Sequence, residues 1–575
     1  MDAFGVLFSR FFLWVIVCLY RMVGGRDMRW EKGKGREIPA EMTLLELAQE
    51  VQKEGEPLIV AARVDNVLRD LQTPVGDFHT IELVDTRSEF GRRIYRRSAL
   101  FLLIMAVQEL YPEAEVVVQF AAHRGLYCAL HSPFDVTESA VRELEERMHE
   151  IVAENRPIVK KRLQREKVVQ LFKKSEQIEK ANLVMSLETE KASLYYCGEF
   201  YDYLFGPMVS ATGVLDKFAL DAMPGGVLLR TPEPSTPESV PAFKAQPKFG
   251  SILMEAERWA SVLHCDYVSD LNRYIRRGEV ADIIHVSEAL HEKKIAEIAD
   301  HIASNIRELR LVLIAGPSSS GKTSFAQRLR IQLRVNGIEP VSISLDDYFR
   351  NWEDTPRTKE GAYDFENIGA LDVELFNDHL VRLLNGEEVI LPHYNFLTGK
   401  REAGTEHLSI APTSPLIVEG IHGLNEMLTA SVPRDKKYKI YISALTQLNI
   451  DAHNRIPTTD ARLLRRMVRD YQFRGAYALK TLRQWPNVRA GEEKNIFPFQ
   501  EEADAMFNSA LIYELAVLKR YAVPLLEMVP RDVPEYTKAN RLLDFCRCFS
   551  DITEEYDIPN NSLLREFIGK SIFFK

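Results

Sequence analysis

Residues 311–324 read LVLIAGPSSSGKTS. Gly316, Gly321, Lys322 and Thr323 satisfy the spacing G-x-x-x-x-G-K-[ST], the pattern of a loop that wraps a phosphate. The residues before it, Leu311 to Ala315, form a continuous apolar run, as a strand buried on both faces of a parallel sheet requires. After it, Phe325, Leu329 and Leu333 recur at four-residue steps, which is an apolar stripe along a helix, and Gly337 stands where that helix should stop. Strand, loop and helix in this order predict an α/β domain: a parallel sheet with helices on both faces.

The chemistry of the loop follows from its residue types. Glycines let the backbone approach a phosphate without a Cβ clash, and the free N–H groups at a helix N-terminus attract the anion. Gly316, Pro317, Ser318, Ser319, Ser320, Gly321, Lys322, Thr323 and Ser324 are therefore the candidate ATP-binding residues. Lys322 would neutralise the β- and γ-phosphates, and the Thr323 hydroxyl would ligate Mg²⁺.

Moving outward, the strand-like run VSISL (341–345) ends in Asp346 and Asp347, and PLIVEG (415–420) carries Glu419. Acids at the C-terminal ends of parallel strands lie at the ligand crevice. One of Asp346 and Asp347 could accept a hydroxyl proton or hold Mg²⁺ through water, or else cap the next helix; Glu419 could be the metal-side acid, although many strands end in an acid that is not. In TDARLLRRMVRDYQFRG (459–475), Arg462, Arg465, Arg466 and Arg469 recur at i, i+3, i+4 and i+7 and share a helix face. Such a face suits a polyphosphate, or else pairs with Asp460 and Asp470 on a solvated helix.

The rest of the chain sets the frame. With 575 residues, 46% hydrophobic and 27% charged, it is an ordinary globular chain of about three or four domains, neither disordered nor fibrous. Its net charge of −10 argues against a nucleic-acid coat. Six scattered cysteines form no disulfide framework and suit a reducing, cytoplasmic setting. The stretch TPEPSTPESVPAFKAQP (231–247) has five prolines and reads as a linker or strap. Before it, 28–96 has the pattern of a small α+β domain. Residues 97–230 hold a strong helix at 98–110 and a long charged helical stretch from Glu138 to Lys180, whose basic run Lys160, Lys161, Arg162, Arg165 and Lys167 reads as a solvated helix face, with RNA contact as the alternative. Residues 250–308 read as helical, and the tail 531–575 as helix. Residues 11–20, FFLWVIVCLY, are too few to span about 30 Å of bilayer. They admit three readings: an over-extended start, a weak membrane anchor or a signal segment.

Taken together, GPSSSGKTS, SLDDYF (344–349), YDF (363–365), LPHYNF (391–396), IVEGIHGL (417–424) and TDARLLRRMVRD with its following Arg474-Gly475 resemble the uridine kinase/phosphoribulokinase family over about 311–528. The resemblance implies ATP- and Mg²⁺-dependent phosphorylation of a nucleoside 5′-hydroxyl. It makes Asp346 the catalytic base, with Lys322 and Arg469 beside it in the transfer. Asp364 becomes the acid on the ribose hydroxyls, Tyr394 and Phe396 the aromatics on the base, and Thr323 and Glu419 the metal side. Arg466, Arg469 and Arg474 match the mobile lid over the phosphates, and Arg465, Arg466 and Arg474 join the ATP-binding residues. Two positions depart from the family: Gly399 replaces a base-reading histidine, and Ala476 follows Gly475 where an arginine is usual. A phosphoribulokinase-like small alcohol, or an RNA-binding regulator with a nucleotide-sensing domain, are the alternatives.

Residues 28–230 resemble the amino-terminal part of threonyl-tRNA synthetase, a β-grasp module followed by an editing-type domain, through GRRIYRRSALFLLIMAV (91–107) and YYCGEFYDYLFGPMVSATG (195–213). At the four places of that domain's metal-like and editing cluster stand Arg97, Phe101, Cys197 and Tyr201, and one cysteine cannot hold zinc. The expected domains are 1–27 (extension), 28–96 (β-grasp), 97–230 (editing-like), 231–308 (linker and connector), 309–530 (P-loop domain) and 531–575 (tail). The expected partners are ATP and a nucleoside, with no stable nucleic-acid complex, no membrane unless 1–27 is retained, and a homo-oligomer as an option.

Overall fold

The computed structural model describes residues 29–32, 38–133, 135–357, 361, 363–395 and 398–574; the N-terminal extension 1–27 lies outside them. The first unit is a four-stranded sheet of β1 (Arg29–Glu31), β2 (Ile59–Val64), β3 (Val67–Arg69) and β4 (Thr80–Asp85) in the order β1-β4-β2-β3, crossed by α1 (Leu44–Val51). Thr43 caps α1 through a capping box with Glu46, which satisfies two orphan N–H groups at once. Helix α2 (Glu89–Leu110) starts at its cap Ser88 and runs unbroken to Leu110. The expected boundary at 96/97 therefore falls inside a helix. The break lies at the Asp85–Ser88 turn, where Ser88 Oγ donates to the Asp85 carbonyl at 2.8 Å.

The second unit wraps α2, whose residues Ala99–Val107 are all buried. One sheet, in the order β10-β11-β6-β5, comprises β5 (Glu115–Ala122), β6 (Gly125–His131), β10 (Ala219–Met223) and β11 (Gly226–Arg230). A second sheet, β7-β8-β9, comprises β7 (Val159–Gln164), β8 (Lys191–Cys197) and β9 (Phe200–Asp202). The long helix expected from Glu138 to Lys180 is not one helix. It divides into α3 (Glu138–Ala153), β7, α4 (Arg165–Lys174) and α5 (Ile178–Ser186). Asn155 at φ 48° and Pro157 stop α3. Lys160, Lys161 and Arg162 then pair with β8 as a strand. Lys160 reaches Asp70 at 2.8 Å and Lys161 lies 4.3 Å over the Tyr196 ring, but both remain exposed, on a solvated strand face rather than a helix face.

Residues 231–246 follow as turns and extended chain, and Pro247 opens α6 (Pro247–Val262) at its first turn, where its missing N–H costs nothing. Helices α7 (Val268–Arg277) and α8 (Val280–Ser304) lead to a five-stranded parallel sheet in the order β13-β16-β12-β17-β18. Its strands are β12 (Leu311–Ala315), β13 (Val341–Ser344), β16 (Leu416–Glu419), β17 (Lys437–Ser443) and β18 (Ala505–Asn508). Alternate residues of β12 face two cores. Leu311 and Leu313 join Phe376 and Leu380 of α10 (Val373–Leu384), while Val312 and Ile314 join Phe325 and Leu329 of α9 (Lys322–Val335). Both faces are covered, and that is why the strand carries no polar residue. A hairpin, β14 (Val389–Asn395) with β15 (Lys400–Leu408), stands off the sheet. Helices α11 (Thr458–Arg474), α12 (Ala478–Asn495) and α13 (Glu514–Glu527) complete the domain. The tail is helical only in α14 (Tyr536–Cys546) and the short α15 (Arg565–Ile568). Between them Pro559 interrupts an irregular segment that buries Leu563 and Leu564. No helix among the described residues is long and apolar enough to cross a membrane.

Candidate active site

The phosphate loop joins β12 to α9 at the C-terminal edge of the sheet. A Cβ on Gly316 would stand 2.0 Å from the Ile442 carbonyl oxygen, so only glycine lets the loop lie this close to β17. Gly321 closes the loop at φ 84°, and Ser319 also lies in the left-handed region at φ 59°. Lys322 begins the helix and folds back, donating to the carbonyls of Gly316 (3.0 Å) and Pro317 (3.4 Å). Burial lowers its pKa, opposed by the charges of Glu419, Glu566 and Asp346.

Three carboxylates converge here. The Thr323 hydroxyl lies 3.1 Å from both oxygens of Glu419, at the end of β16. Burial pushes the Glu419 carboxyl up to about 7. These hard oxygen donors fit a small divalent cation that draws its other ligands from phosphate and water. No cluster of three histidine, cysteine or carboxylate side chains able to cage a metal alone is present among the described residues. Asp346 follows β13 in the 3₁₀ turn Leu345–Tyr348, whose cap is Ser344, so its carboxylate is not used as a cap. Its side chain meets solvent, yet the protein packed around it raises its pKa, with Lys322 and Arg474 pulling it down. Its neighbour Asp347 is occupied, accepting from the Tyr394 N–H at 3.3 Å.

The third carboxylate was not singled out in the sequence. Glu566, on α15, accepts from the Ser324 N–H (3.2 Å) and hydroxyl (2.8 Å) in the first turn of α9. A side-chain anion thus sits on the positive end of that helix, and Leu563 beside it lies 2.9 Å from where a Gly321 Cβ would be. No local signal reveals a partner 242 residues away.

The α11 arginines divide into two groups. Arg462 and Arg465 are buried: the first is paired with Glu492 and donates to the Ser318 carbonyl at 3.1 Å, the second is paired with Glu514 and donates to the Ser509 carbonyl at 2.7 Å. Arg465, expected on ATP, lies beneath the loop and fastens it, because Glu514 neutralises it. Arg466 donates to the Ser318 hydroxyl at 2.8 Å, and Arg469 and Arg474 gather around Asp470 at 2.8 and 3.7 Å. These three remain at the rim. Glu492 also accepts the Ser318 N–H at 3.0 Å.

On the opposite side, Asp364 receives a hydrogen bond from Asn367 at 3.4 Å and adjoins His422, whose ring nitrogens are buried without partners; burial pushes that imidazole down to about 4. Burial also raises Glu366 to about 7. Tyr394, expected on a flat base, is instead core: it is 2% exposed and packs 5.5 Å from Phe349. Phe396 lies outside the described residues. Gly399 has φ 69°, and a Cβ there would stand 2.2 Å from the Trp352 ring, so Trp352 fills the place of the missing side chain. The half-open rings are Trp352 and Tyr363, 6.1 Å apart, with Phe365 a further 5.9 Å from Tyr363.

In the N-terminal half, Arg97 donates to the Pro207 carbonyl at 2.6 Å, Phe101 packs 4.8 Å from Phe200, Cys197 is buried with a raised pKa, and the Tyr201 hydroxyl reaches the Leu171 carbonyl at 3.4 Å. Each is engaged in packing or backbone contacts.

Comparison with known proteins divides the chain the same way. Residues 311–514 match the model of the phosphoribulokinase / uridine kinase family, so this part is a P-loop kinase domain. The N-terminal region is similar to threonine–tRNA ligases. It is 34% identical over 200 residues to that of Acidithiobacillus ferrooxidans, covering 35% of this chain and 31% of the relative. It is 32% identical over 190 residues to that of Bartonella tribocorum, covering 32% and 29%. The chain spans about a third of the length of these curated relatives. A solved structure described as a possible uridine kinase from Bacillus stearothermophilus is 17% identical, with a TM-score of 0.26, covering 37% of this chain and all of its own.

Proposed function

We propose that the chain is an ATP-dependent nucleoside kinase that transfers the γ-phosphate to the 5′-hydroxyl of uridine, cytidine or a related nucleoside. The observation that carries this reading is the convergence of Lys322, the Thr323–Glu419 pair and Asp346 at one edge of the parallel sheet. Mg²⁺ held by Thr323 and Glu419 would offset the charge of the phosphate oxygens. Lys322 exchanges the Gly316 carbonyl for the transferring phosphate, and Arg466, Arg469 and Arg474 close over it. Asp346 accepts the hydroxyl proton, a role that a raised pKa favours. Asp364 accepts from the ribose hydroxyls, and Trp352 and Tyr363 offer the flat faces for a base. Catalysis is then positioning plus charge stabilisation, as phosphoryl transfer demands.

A second reading has one observation in its favour. Tyr394 is core rather than wall, which removes one of the two aromatics expected against a base and so weakens the case for a base over a small alcohol, as in a phosphoribulokinase-like reaction. The test is ATP consumption by the purified chain against ribo- and deoxyribonucleosides and against sugar phosphates. Turnover with sugar phosphates alone would replace the nucleoside reading with the second one.

A further inference from the structure

A cavity of about 340 Å³ lies between the second unit and the P-loop domain. Seven arginines and a single carboxylate, Glu233, line it among the described residues. Three of the arginines are spoken for: Arg93 by Asp460 and Glu89, Arg462 by Glu492, and Arg489 by Glu492 and Glu493. The other four, Arg92, Arg96, Arg124 and Arg455, have no carboxylate within 4 Å among the described residues; Arg455 donates only to the Gln119 carbonyl, at 3.0 Å. Burial, and then the charges of Arg92, Arg93, Arg455 and Arg97, push the Arg96 guanidinium down to about 9. A guanidinium does not give up its proton at neutral pH, so the cluster stays charged. Glu89, Glu233 and Glu493 partly offset Arg92 and Glu257 partly offsets Arg455, while the leading charges acting on Arg96 are all repulsive. Helix α11 begins in the same wall at Thr458 and Thr459, adding the positive end of a 17-residue helix.

We propose that this cavity binds a small polyphosphate anion at a site separate from the phosphate loop. Guanidinium groups bind phosphate oxygens bidentately, and several at once suit a run of linked phosphates better than a single carboxylate. The volume is within the range of small-ligand pockets. Lys322, Thr323 and Glu419 do not line it, and of the loop only Pro317 does. The occupant therefore lies behind the loop, at the start of the helix whose far end carries Arg466 and Arg469.

The test uses the full chain carrying Lys322→Ala, which disables the loop, titrated calorimetrically with inorganic tripolyphosphate. One equivalent should still bind, more weakly at higher salt as phosphate contacts require. Adding Arg96→Gln, or Arg455→Gln should the first fail to fold, should weaken binding at least tenfold. Arg96→Gln alone should also raise the melting temperature of the unliganded chain by roughly 2–4 °C, because it removes repulsion, whereas an arginine with a purely structural role would lower it. Loss of all binding in Lys322→Ala, or unchanged binding after the arginine substitutions, overturns the proposal. So does binding of tRNA in the absence of tripolyphosphate binding, which would make the cavity an RNA interface.

Discussion

Glu566 places a carboxylate on the Ser324 N–H, at the head of the helix that a nucleotide phosphate would approach. The two anions compete for one positive end, at an interaction on the order of 1–2 kcal/mol. Glu566→Gln should therefore tighten ATP binding roughly five- to thirtyfold, measured by equilibrium titration; unchanged or weaker binding would show that the tail does not compete. On the acceptor side, Trp352 covers Gly399. Stacking on an aromatic ring contributes about 1–3 kcal/mol per base. Trp352→Ala should thus raise the nucleoside KM about tenfold or more with little change in kcat, and a fall in kcat alone would count against a stacking role. Discrimination among bases should stay below about 10³-fold, short of the roughly 10⁴–10⁵-fold that buried polar readout supplies. At this scale the loop residues were legible because motif spacing fixes them. Trp352 was not, since only the folded hairpin brings position 399 under its ring. His422 lay within a motif already read, IVEGIHGL, but its burial beside Asp364 is visible only in three dimensions.

Helix α11 illustrates how far periodicity reaches. The spacing of Arg462, Arg465, Arg466 and Arg469 correctly places them on one face, yet it cannot tell which of them will meet an acid. Glu492 and Glu514 arrive from α12 and α13, and they divide the stripe into two anchors and the rim residues. Removing one partner of a buried pair leaves the other uncompensated, at about 3–5 kcal/mol. Arg465→Ala should accordingly lose about that much unfolding free energy in a denaturant titration, while Arg469→Ala should keep its stability and lose turnover. Equal stability losses in the two variants would contradict this division. The stretch 138–180 is the opposite case: its charge pattern reads as helix throughout, but Asn155 and Pro157 break it and pairing with β8 converts Lys160–Arg162 to strand.

At the scale of the molecule, the two halves are joined by a buried cluster. Lys180 of α5 pairs with Asp202, and His453 Nδ1, from the segment after β17, lies 2.5 Å from Lys180 Nζ and 2.5 Å from Asp202 Oδ2. Burial works against the Asp202 charge, but Lys180 and His453 outweigh it and hold its pKa at about 2, below the ordinary 3.8. Because the folded value is depressed, the stabilisation is complete above the unfolded pKa and is lost as pH falls through 3.8 towards 2. Lys180→Met should narrow that acid-sensitive window in a pH-resolved melt and cost stability at pH 7; an unchanged acid profile would remove Asp202 from the account. The parallel sheet, the burial of its central strand β12 on both faces and the site edge followed from local patterns; the strand order did not. The seam and the folded-back tail did not, because their partners lie hundreds of residues apart. The account as a whole rests on phosphoryl transfer at the sheet edge. Its most direct measurement is nucleoside 5′-monophosphate formation from ATP and uridine or cytidine by the wild-type chain and by Asp346→Asn, each with its fold confirmed by circular dichroism. The account predicts product with the wild type and at least a hundredfold loss, the lower end of general-base contributions, in a folded Asp346→Asn; equal turnover in the two proteins would contradict it.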